Sequence, residues 1–368
     1  MRLFTPGQHE SRGWVAAAAV LLAVLPAPKA AMAETELIGP LRIRDMTPFN
    51  LLRLDMLPAH AVTADAGTWA VEADLSYTNT FVMSDNVADY LRRRHTHASL
   101  TPADVDAILG PGQDAYYVDG EYGLLDLTFH YGLTGRTSVY LTLQAYSFTD
   151  GFLDGTIENF HRAFGLGTEG RDLVARNQFQ TVVSFKGART VFLDPPRKGG
   201  LGDPVAGLRH TWTFGRRWGL VLDGAAKAAL RGERSLLSTG TNDLGLQVSV
   251  QGKFSRQGLY FSTSLVRTDG RVLGVRLGSR VVPTVMGAYE LGLTRRTNAI
   301  LQLYASESTV RDTTIDEIKA DKYQASLGLR SRRGHLIYAF AVTENLGHYE
   351  NTPDVGVSLT LAWISSRH

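Results

Sequence analysis

Apolar and polar residues alternate with a period of two along most of the chain after residue 67. Such alternation is typical of β-strands with one apolar and one polar face. Segment 243–254 shows it most clearly. Its apolar face carries Leu244, Leu246, Val248, Val250 and Phe254, and its polar face carries Gln247, Ser249, Gln251 and Lys253. The pattern predicts a chain built mainly from β-strands.

About twelve segments of this kind cross from one end of the predicted sheet to the other, and single-chain bacterial membrane barrels require an even number. They lie near residues 67–81, 116–131, 137–148, 205–214, 218–230, 243–254, 259–267, 284–293, 297–306, 322–330, 335–343 and 354–363. Tight turns alternate with longer connections, which is typical of an outer-membrane barrel with its short turns in the periplasm. Segment 178–193 is also strand-like, but counting it as a crossing would move the tight turn at Gly215 to the wrong end. We therefore expect it to form a hairpin above the membrane.

Aromatic residues support this interpretation because several cluster beside the tight turns or at the end of the last strand, as in the interfacial girdles of membrane barrels. They are Tyr131, Trp212, Phe214, Trp218, Phe254 and Trp363. The predicted fold class is all-β, a transmembrane antiparallel up-and-down β-barrel of about 12 strands with short helices in outer loops. A secreted β-sandwich stays open as the alternative, since alternation alone does not separate the two.

The N-terminus resembles a secretory signal. Arg2 and Arg12 precede an apolar run over residues 14–25, and Ala31-Met32-Ala33 supplies the small residues of a cleavage site. The run is shorter than the roughly 20 residues that a membrane-spanning helix needs. The expected organisation is a signal peptide over 1–33, a periplasmic or plug segment over 34–66, and the barrel with its extracellular loops over 67–368.

Charge and composition narrow the partners. The formal net charge is +2, and the signal segment supplies all of it, since Arg2, Arg12 and Lys29 outweigh Glu10. No basic stripe remains for nucleic acid. The chain contains no cysteine, which excludes a lipoprotein anchor, disulfides and thiolate metal sites. Outer-membrane lipid, the barrel-insertion machinery and a small-molecule solute are the expected partners, with no cofactor.

Two outer connections are predicted to contain helices. Thr101-Pro102-Ala103-Asp104 resembles a capping box, so a helix should run to Leu109. A second helix should cover 156–164, where apolar residues and one histidine share a face at helical spacing. These residues are Ile157, Phe160, His161 and Phe164. An apolar face in an outer loop must be buried against something. It either packs on the hairpin or in the barrel mouth, or it gates the pore or contacts a lipophilic ligand.

Several stretches resemble a bacterial outer-membrane protein family catalogued as domain of unknown function 3187. They are the run from Gly151 to Leu166 (GFLDGTIENFHRAFGL), Pro48-Phe49-Asn50-Leu51-Leu52, Gly200-Leu201-Gly202-Asp203, Thr343-Glu344-Asn345-Leu346 and Thr352-Pro353-Asp354. The resemblance covers most of the mature chain and implies an outer-membrane barrel without an assigned substrate or site residue. One departure is that such barrels often end on an aromatic residue, whereas five residues follow Trp363 here.

Strand parity sends charges of both signs to the predicted lumen, where they would either pair and plug the barrel or form a transverse field for a polar solute. The predicted lumen-lining residues are Glu72, Asp74, Asp126, His130, Arg209, Asp223, Lys227, Lys253, Glu290 and Arg330. His130 shares its face with Asp126 and Thr128, but no serine lies at a matching spacing, so a hydrogen-bond network is a better interpretation than a catalytic pair.

Catalytic and metal residues are therefore not assigned. His95 and His97 could in principle bind a metal ion together with Asp104 and Asp106. We expect these histidines on an exposed loop beside Arg92, Arg93 and Arg94, whose charge opposes a bound cation. The arginines either form a solvated run or contact the phosphates of lipid head groups.

The leading functional hypothesis is a pore or transporter for small solutes in the bacterial outer membrane, gated by an extracellular loop over 151–176. An outer-membrane hydrolase acting on lipid or peptide, or a structural barrel that binds a partner through its loops, remain alternatives.

Overall fold

The computed structural model describes residues 36–59, 65–164, 170–186, 188–230, 232, 236–346 and 351–365. The predicted signal peptide lies outside these residues. Seventeen strands occur within them. In chain order they are β1 (Trp69–Met83), β2 (Ala115–Gly132), β3 (Thr137–Thr149), β4 (Gln180–Phe185), β5 (Ala188–Phe192), β6 (Gly199–Leu201), β7 (Val205–Phe214), β8 (Trp218–Lys227), β9 (Asp243–Phe254), β10 (Gln257–Thr268), β11 (Arg271–Val272), β12 (Val275–Arg276), β13 (Arg280–Gly292), β14 (Thr297–Ser306), β15 (Lys322–Arg333), β16 (Leu336–Asn345) and β17 (Val355–Ile364).

Twelve of these strands close into an antiparallel barrel. Hydrogen bonding runs in the order β1-β17-β16-β15-β14-β13-β10-β9-β8-β7-β3-β2, and β2 pairs again with β1. The strand count and the antiparallel order confirm the sequence-based prediction, with boundaries that differ by a few residues. Closure pairs β1 with both β17 and β2, so none of the twelve barrel strands is left at a free end of the sheet, as a lipid environment demands.

The two faces of the wall differ in the way the alternation predicts. On β9, Leu244 and Leu246 are 58% and 52% exposed, while Gln247 and Ser249 are 2% and 3% exposed. Exposed leucines recur around the outside, for example Leu327 and Leu361. A continuous apolar outer surface has to face lipid. The alternative of a secreted sandwich is therefore wrong, because a sandwich would bury these leucines between two sheets.

The tight turns between consecutive barrel strands all lie at one end, together with the beginning of β1 and the end of β17. Each joins neighbouring barrel strands, as at Gly292–Thr297 between β13 and β14. Aromatic rings surround this end: Trp69 packs on Tyr131 with ring centroids 4.6 Å apart, and Trp218 packs on Phe254 at 5.6 Å. The arrangement corresponds to the periplasmic interface of an outer-membrane barrel.

The opposite end carries the long connections and the helices, which are α1 (Asp85–Arg94), α2 (Pro102–Leu109), α3 (Asp154–Phe164) and the single turn α4 (Asp316–Lys319). Thr101 and Asp104 form the expected capping box of α2. Strand β4 pairs with the outer end of β2 and with β5, so segment 178–193 forms a hairpin outside the barrel count.

Helix α1 was not expected, because its arginines were assigned to a loop. It forms because Val87 and Leu91, four residues apart, share one face and bury against α2 and the outer end of β2. Among the described residues, no helix is both long enough and apolar enough to span a bilayer.

Candidate functional site

Residues 36–59, here called the inner segment, lie inside the barrel. The backbone N–H groups of Ile38 and Gly39 donate to Glu290 near the periplasmic turns, at 3.1 and 3.0 Å. The segment then rises to the outer end, where Thr309 donates to the Phe49 carbonyl. It turns back, and the Leu57 carbonyl accepts from Gln247 on β9. The inner segment therefore occupies the lumen along two arms.

Charged pairs attach the ascending arm to the wall in the lower lumen. Arg42 Nε lies 2.8 Å from Glu72 and 3.4 Å from Asp74, both on β1. Arg44 donates to both carboxylate oxygens of Asp126 on β2 at 3.3 Å. All of these side chains are largely buried, so each charge depends on its partner for solvation.

A second ionic group lies higher, where the inner segment turns. Arg53, which is fully buried, has Asp45 at 3.8 Å and Asp55 at 3.6 Å. Lys322, the first residue of β15, lies 3.2 Å from Asp45. Two cations and two carboxylates therefore balance in a site that excludes water.

The outermost part of the lumen is apolar instead. The turn of the inner segment inserts Met46, Phe49, Leu51 and Leu52 into a cluster of buried side chains from the wall and the outer connections, here called the outer cap. Phe49 packs on Phe185 of the hairpin with ring centroids 5.9 Å apart. The remaining members include Val82, Tyr116, Val118, Tyr122, Leu124, Tyr146, Phe148, Phe179, Val183, Leu236, Leu237, Val272, Leu273, Val275, Leu277, Val310 and Ile318.

Two small cavities lie beside the inner segment. One cavity between Arg44 and the wall at Gln324, and another between its two arms at Arg42 and Asp55, hold about 20 Å³ each. That is room for about one water molecule. The described lumen is therefore occluded at both levels.

Helix α3, which carries the predicted gate, begins at a polar latch on the barrel rim. Arg171 donates to Asp154 at 2.6 Å and pairs with Asp354 at the start of β17. Burial by itself would lower the pKa of Arg171, but Asp354 and Asp154 raise it, so the guanidinium stays charged. Asn79 also donates to Asp154, at 2.9 Å. The latch joins the connection after β3 to β1 and β17, the first and last strands of the barrel, which pair with each other.

The four predicted gate residues are only partly described. Ile157 lies on α3 and is buried, at 5% exposure. The side chains of Phe160, His161 and Phe164 lie outside the described residues.

The structure places each of the ten predicted lumen residues in contact with the inner segment or with another of the ten. Contacts with the inner segment involve Glu72, Asp74, Asp126, Lys227, Lys253, Glu290 and Arg330. His130 lies 3.5 Å from Glu72, and Arg209 pairs with Asp223 at 2.8 Å. The wall charges are thus paired rather than lining an open channel.

Sequence reasoning missed the partners that the inner segment supplies, namely Arg42, Arg44, Asp45, Arg53 and Asp55. The available signal was their number within a short stretch that also contains many leucines, since such a stretch needs burial for both kinds of residue. The sequence did not show which wall residues would receive them.

The histidines considered for a metal have other roles in the structure. His95 ends helix α1 in a left-handed conformation, with φ of 52°, and His97 contacts the backbone carbonyl of Asp172. Within the described ranges, no three His, Asp or Glu residues converge on a point that would hold a metal ion. Arg92 pairs with Asp89, and Arg94 with Asp104.

One solved structure shares the fold of this chain, and a second aligns with it more weakly. The COG4313 outer membrane channel from Pseudomonas putida F1 aligns over 84% of this chain and 100% of its own, with 11% sequence identity and a TM-score of 0.52. The translocator domain of the autotransporter NalP from Neisseria meningitidis aligns over 82% and 90%, with 10% identity and a TM-score of 0.41. At 11% identity the likeness to the COG4313 channel concerns the fold alone.

No curated protein sequence matches the chain. Residues 17–363, nearly its whole length, match a family described as "Protein of unknown function (DUF3187)". The resemblance noted in the sequence is thereby confirmed, and the chain belongs to the DUF3187 family.

Proposed function

We propose that this protein is an outer-membrane transport barrel that is closed at rest and passes a small solute when the inner segment moves. The observation that carries the proposal is how the lumen is filled. A separate segment fills the lumen, and charged pairs attach it to the inner face of the wall. That face is itself polar.

The chemistry of the wall favours a removable filling. Buried ion pairs contribute little net stability compared with apolar packing, because desolvation offsets most of their attraction. If the inner segment withdraws, water can solvate Glu72, Asp74 and Asp126 in its place. The barrel strands keep their own hydrogen bonds throughout, so the pore can open without unfolding.

The extracellular connection over 151–176 supplies the second closure. Its helix α3 starts at the latch between Arg171 and Asp154, and Ile157 is already buried. We propose that Ile157, Phe160, His161 and Phe164 form the gate, and that release of the latch lets the connection lift from the mouth. The ten wall residues then line the passage.

The location in the outer membrane is part of the same proposal. The exposed leucine band and the aromatic girdle suit outer-membrane lipid, and closure of the barrel calls for the barrel-insertion machinery. The small solute is the third partner.

Single-channel recording in planar bilayers tests the proposal. We expect the wild-type protein to show low, intermittent conductance. Deletion of residues 36–59 should give a barrel that still folds and conducts steadily, because only the filling has been removed.

The latch provides a finer test with a matched control. Arg171→Met should increase the frequency of openings. Arg162→Met should behave like the wild type, since Arg162 is exposed and donates to Asn159 within the same helix. A deletion variant that folds but stays non-conducting would instead support a structural barrel.

A further inference from the structure

The barrel wall has an irregularity where β7 gives way to β6. Thr142 pairs with Val205, and Ala145 pairs with Leu201. Between these two pairs, β3 has two residues (143–144), whereas the opposite chain has three (202–204). The extra residue makes a bulge at Gly202-Asp203-Pro204. Pro204 has no N–H group to donate, and Gly202 N–H bonds to the Gln144 carbonyl at 2.9 Å.

Beyond this bulge the pairing of described strands continues on the β3 side only. The pairing of β7 with β8 ends at Val205 and Lys227, and the last backbone bond across it runs from Ala228 N–H to the Pro204 carbonyl. Further out, β6 pairs with β3 only, among the described strands. A Cβ atom at Gly200 would lie 2.8 Å from Leu237, so the glycine lets the chain pass close to that side chain.

A cavity of about 180 Å³ lies at this irregularity, here called the wall notch. Its outer side is apolar, with Leu143, Leu201 and Leu230 exposed by 43%, 66% and 72%. Its inner side is polar and buried, formed by Gln144, Asp203 and Ser238. The wall notch therefore changes from apolar to polar on passing from the outside of the barrel toward the lumen.

The wall notch lies at a depth where the outer side meets hydrocarbon. Leu143 is six residues from Thr137, at the turn end of β3. With a rise of roughly 3.3 Å per residue and a strand tilt of about 40°, that places it some 15 Å from the turns, within the apolar band of about 25 Å. A molecule dissolved in the membrane can reach it directly.

The polar side of the wall notch connects with the inner segment. Ser238 Oγ donates to Asp203 at 2.7 Å, and Lys227 Nζ lies 4.0 Å from Asp203. The same ammonium group donates to the Leu52 carbonyl at 2.7 Å. Its nearest carboxylate is Asp243 on β9, at 3.0 Å. Lys227 therefore lies between the wall notch, its own ion-pair partner and the turn of the inner segment.

We propose that the wall notch binds a small lipophilic molecule carrying a hydrogen-bond donor, which enters from the membrane. A dry cavity of about 150 Å³ accommodates benzene, so this one suits a single ring or a short chain. Its apolar part lies along the three leucines, and its hydroxyl or amino group donates to Asp203. The inference deepens the proposed function by assigning it a class of solute and a point of entry.

Binding of 4-fluorobenzyl alcohol to the full-length protein in lipid nanodiscs, followed by fluorine NMR, tests the site. Leu143→Trp fills the outer side of the wall notch and should weaken binding at least tenfold relative to wild type. Leu141→Trp is the matched control, because Leu141 has the same 43% exposure on the same face of β3 but does not line the cavity. Equal binding by the two variants would overturn the proposal, since it would mean partition into lipid.

The donor requirement is tested separately. 4-Fluorotoluene, which lacks the hydroxyl group, should bind about tenfold more weakly than the alcohol, the effect expected for losing one hydrogen bond to a carboxylate. Asp203→Asn should reduce that preference. If both probes bind the wild type equally well, the assigned ligand class is wrong.

A labelling experiment keeps the site testable if Leu143→Trp fails to fold. The chain has no cysteine, so Leu201→Cys can carry a unique trifluoromethyl label. Benzyl alcohol should shift the label resonance at position 201 but not in Leu208→Cys, an exposed control on β7. Both labels responding alike would exclude a local site. These readouts measure binding only, so they are independent of whether the deletion variant conducts.

Discussion

The lower lumen and the outer cap hold the same inner segment by opposite means. In the lower lumen, Arg42 and Arg44 pair with carboxylates on β1 and β2. In the outer cap, Phe49 and Leu51 are packed among aromatic and aliphatic side chains. Only a few residues of the inner segment separate the two environments.

The difference follows from what lies outside the wall. Where lipid covers the barrel, every second residue must be apolar and point outward, so the inner face is left polar. The outer ends of β1 and β2 are covered by loops instead, and there Ala115 to Leu124 is buried on both faces. The inner segment matches each zone, polar below and apolar above. We therefore expect the lower contacts to respond to charge and the outer ones to volume.

Removal of Arg53 should have the largest effect. Arg53→Met keeps the volume but leaves Asp45 and Asp55 with Lys322 as their nearby cation. Removing one partner of a buried ionic group typically costs about 3–5 kcal/mol. We expect the inner segment to become susceptible to added protease, measured on detergent-purified protein. The barrel should also conduct more often, measured after insertion into planar bilayers.

A double variant isolates the charge effect. Adding Asp55→Asn to Arg53→Met removes one of the stranded carboxylates, so it should recover part of the lost protection. If the effect of the double variant on opening equals the sum of the effects of the two single variants, the ionic group does not hold the segment through charge.

Truncation in the outer cap should have a comparable or slightly smaller effect. Leu51 is fully buried, and Leu51→Ala should destabilise the closed state by about 2–5 kcal/mol through lost packing and the resulting cavity. Its effect on opening should be the same in low and high salt, because no charge is involved. A strong salt dependence of this variant would contradict the division into two zones.

The barrel could be predicted from sequence because its rule is local. Alternation on β9 assigned Leu244 outward and Gln247 inward, and both are found there. The position of Gly215 in a tight turn was enough to exclude segment 178–193 from the barrel. The capping box at Thr101 is equally local, since Thr101 and Asp104 contact each other.

The contacts of the inner segment could not be predicted, because they are long-range and not periodic. Arg44 meets Asp126 and Leu54 meets Asp243 across the lumen, and no spacing in the sequence encodes either pair. Helix α1 was missed for a related reason. Its apolar face is short, and it is stabilised by burial against α2 and β2, which the local sequence does not show.

Arginine substitutions at two adjacent residues of β9 test which face of the wall contacts lipid and which faces the lumen. Val248 is 38% exposed on the outside, and Val248→Arg should cost about 2–4 kcal/mol near the middle of the bilayer, seen as less heat-modifiable barrel on gels. Ser249→Arg points into the filled lumen. It should leave the barrel intact and instead expose the inner segment to protease. Equal loss of folded barrel in both variants would count against a lipid-facing outer surface.

The smallest effect concerns acid sensitivity of the helical layer above the barrel. Burial would raise the pKa of Asp104, but hydrogen bonds from Thr101 and Tyr90 and the charge of Arg94 lower it to about 2, from an ordinary value of 3.8. A carboxylate with a lowered pKa contributes its stability above the ordinary value and loses it as the pH falls toward the lowered one. Hydrogen-exchange protection of α2, corrected for the intrinsic exchange rate, should therefore decline between pH 4 and pH 2. The loss should be of the size of one helix cap, about 1 kcal/mol.

Asp104→Asn should start with lower protection and show little further change over this range, while the barrel strands of both proteins stay protected. If α2 in the wild type is as protected at pH 2 as at pH 5, the capping carboxylate does not stabilise this layer.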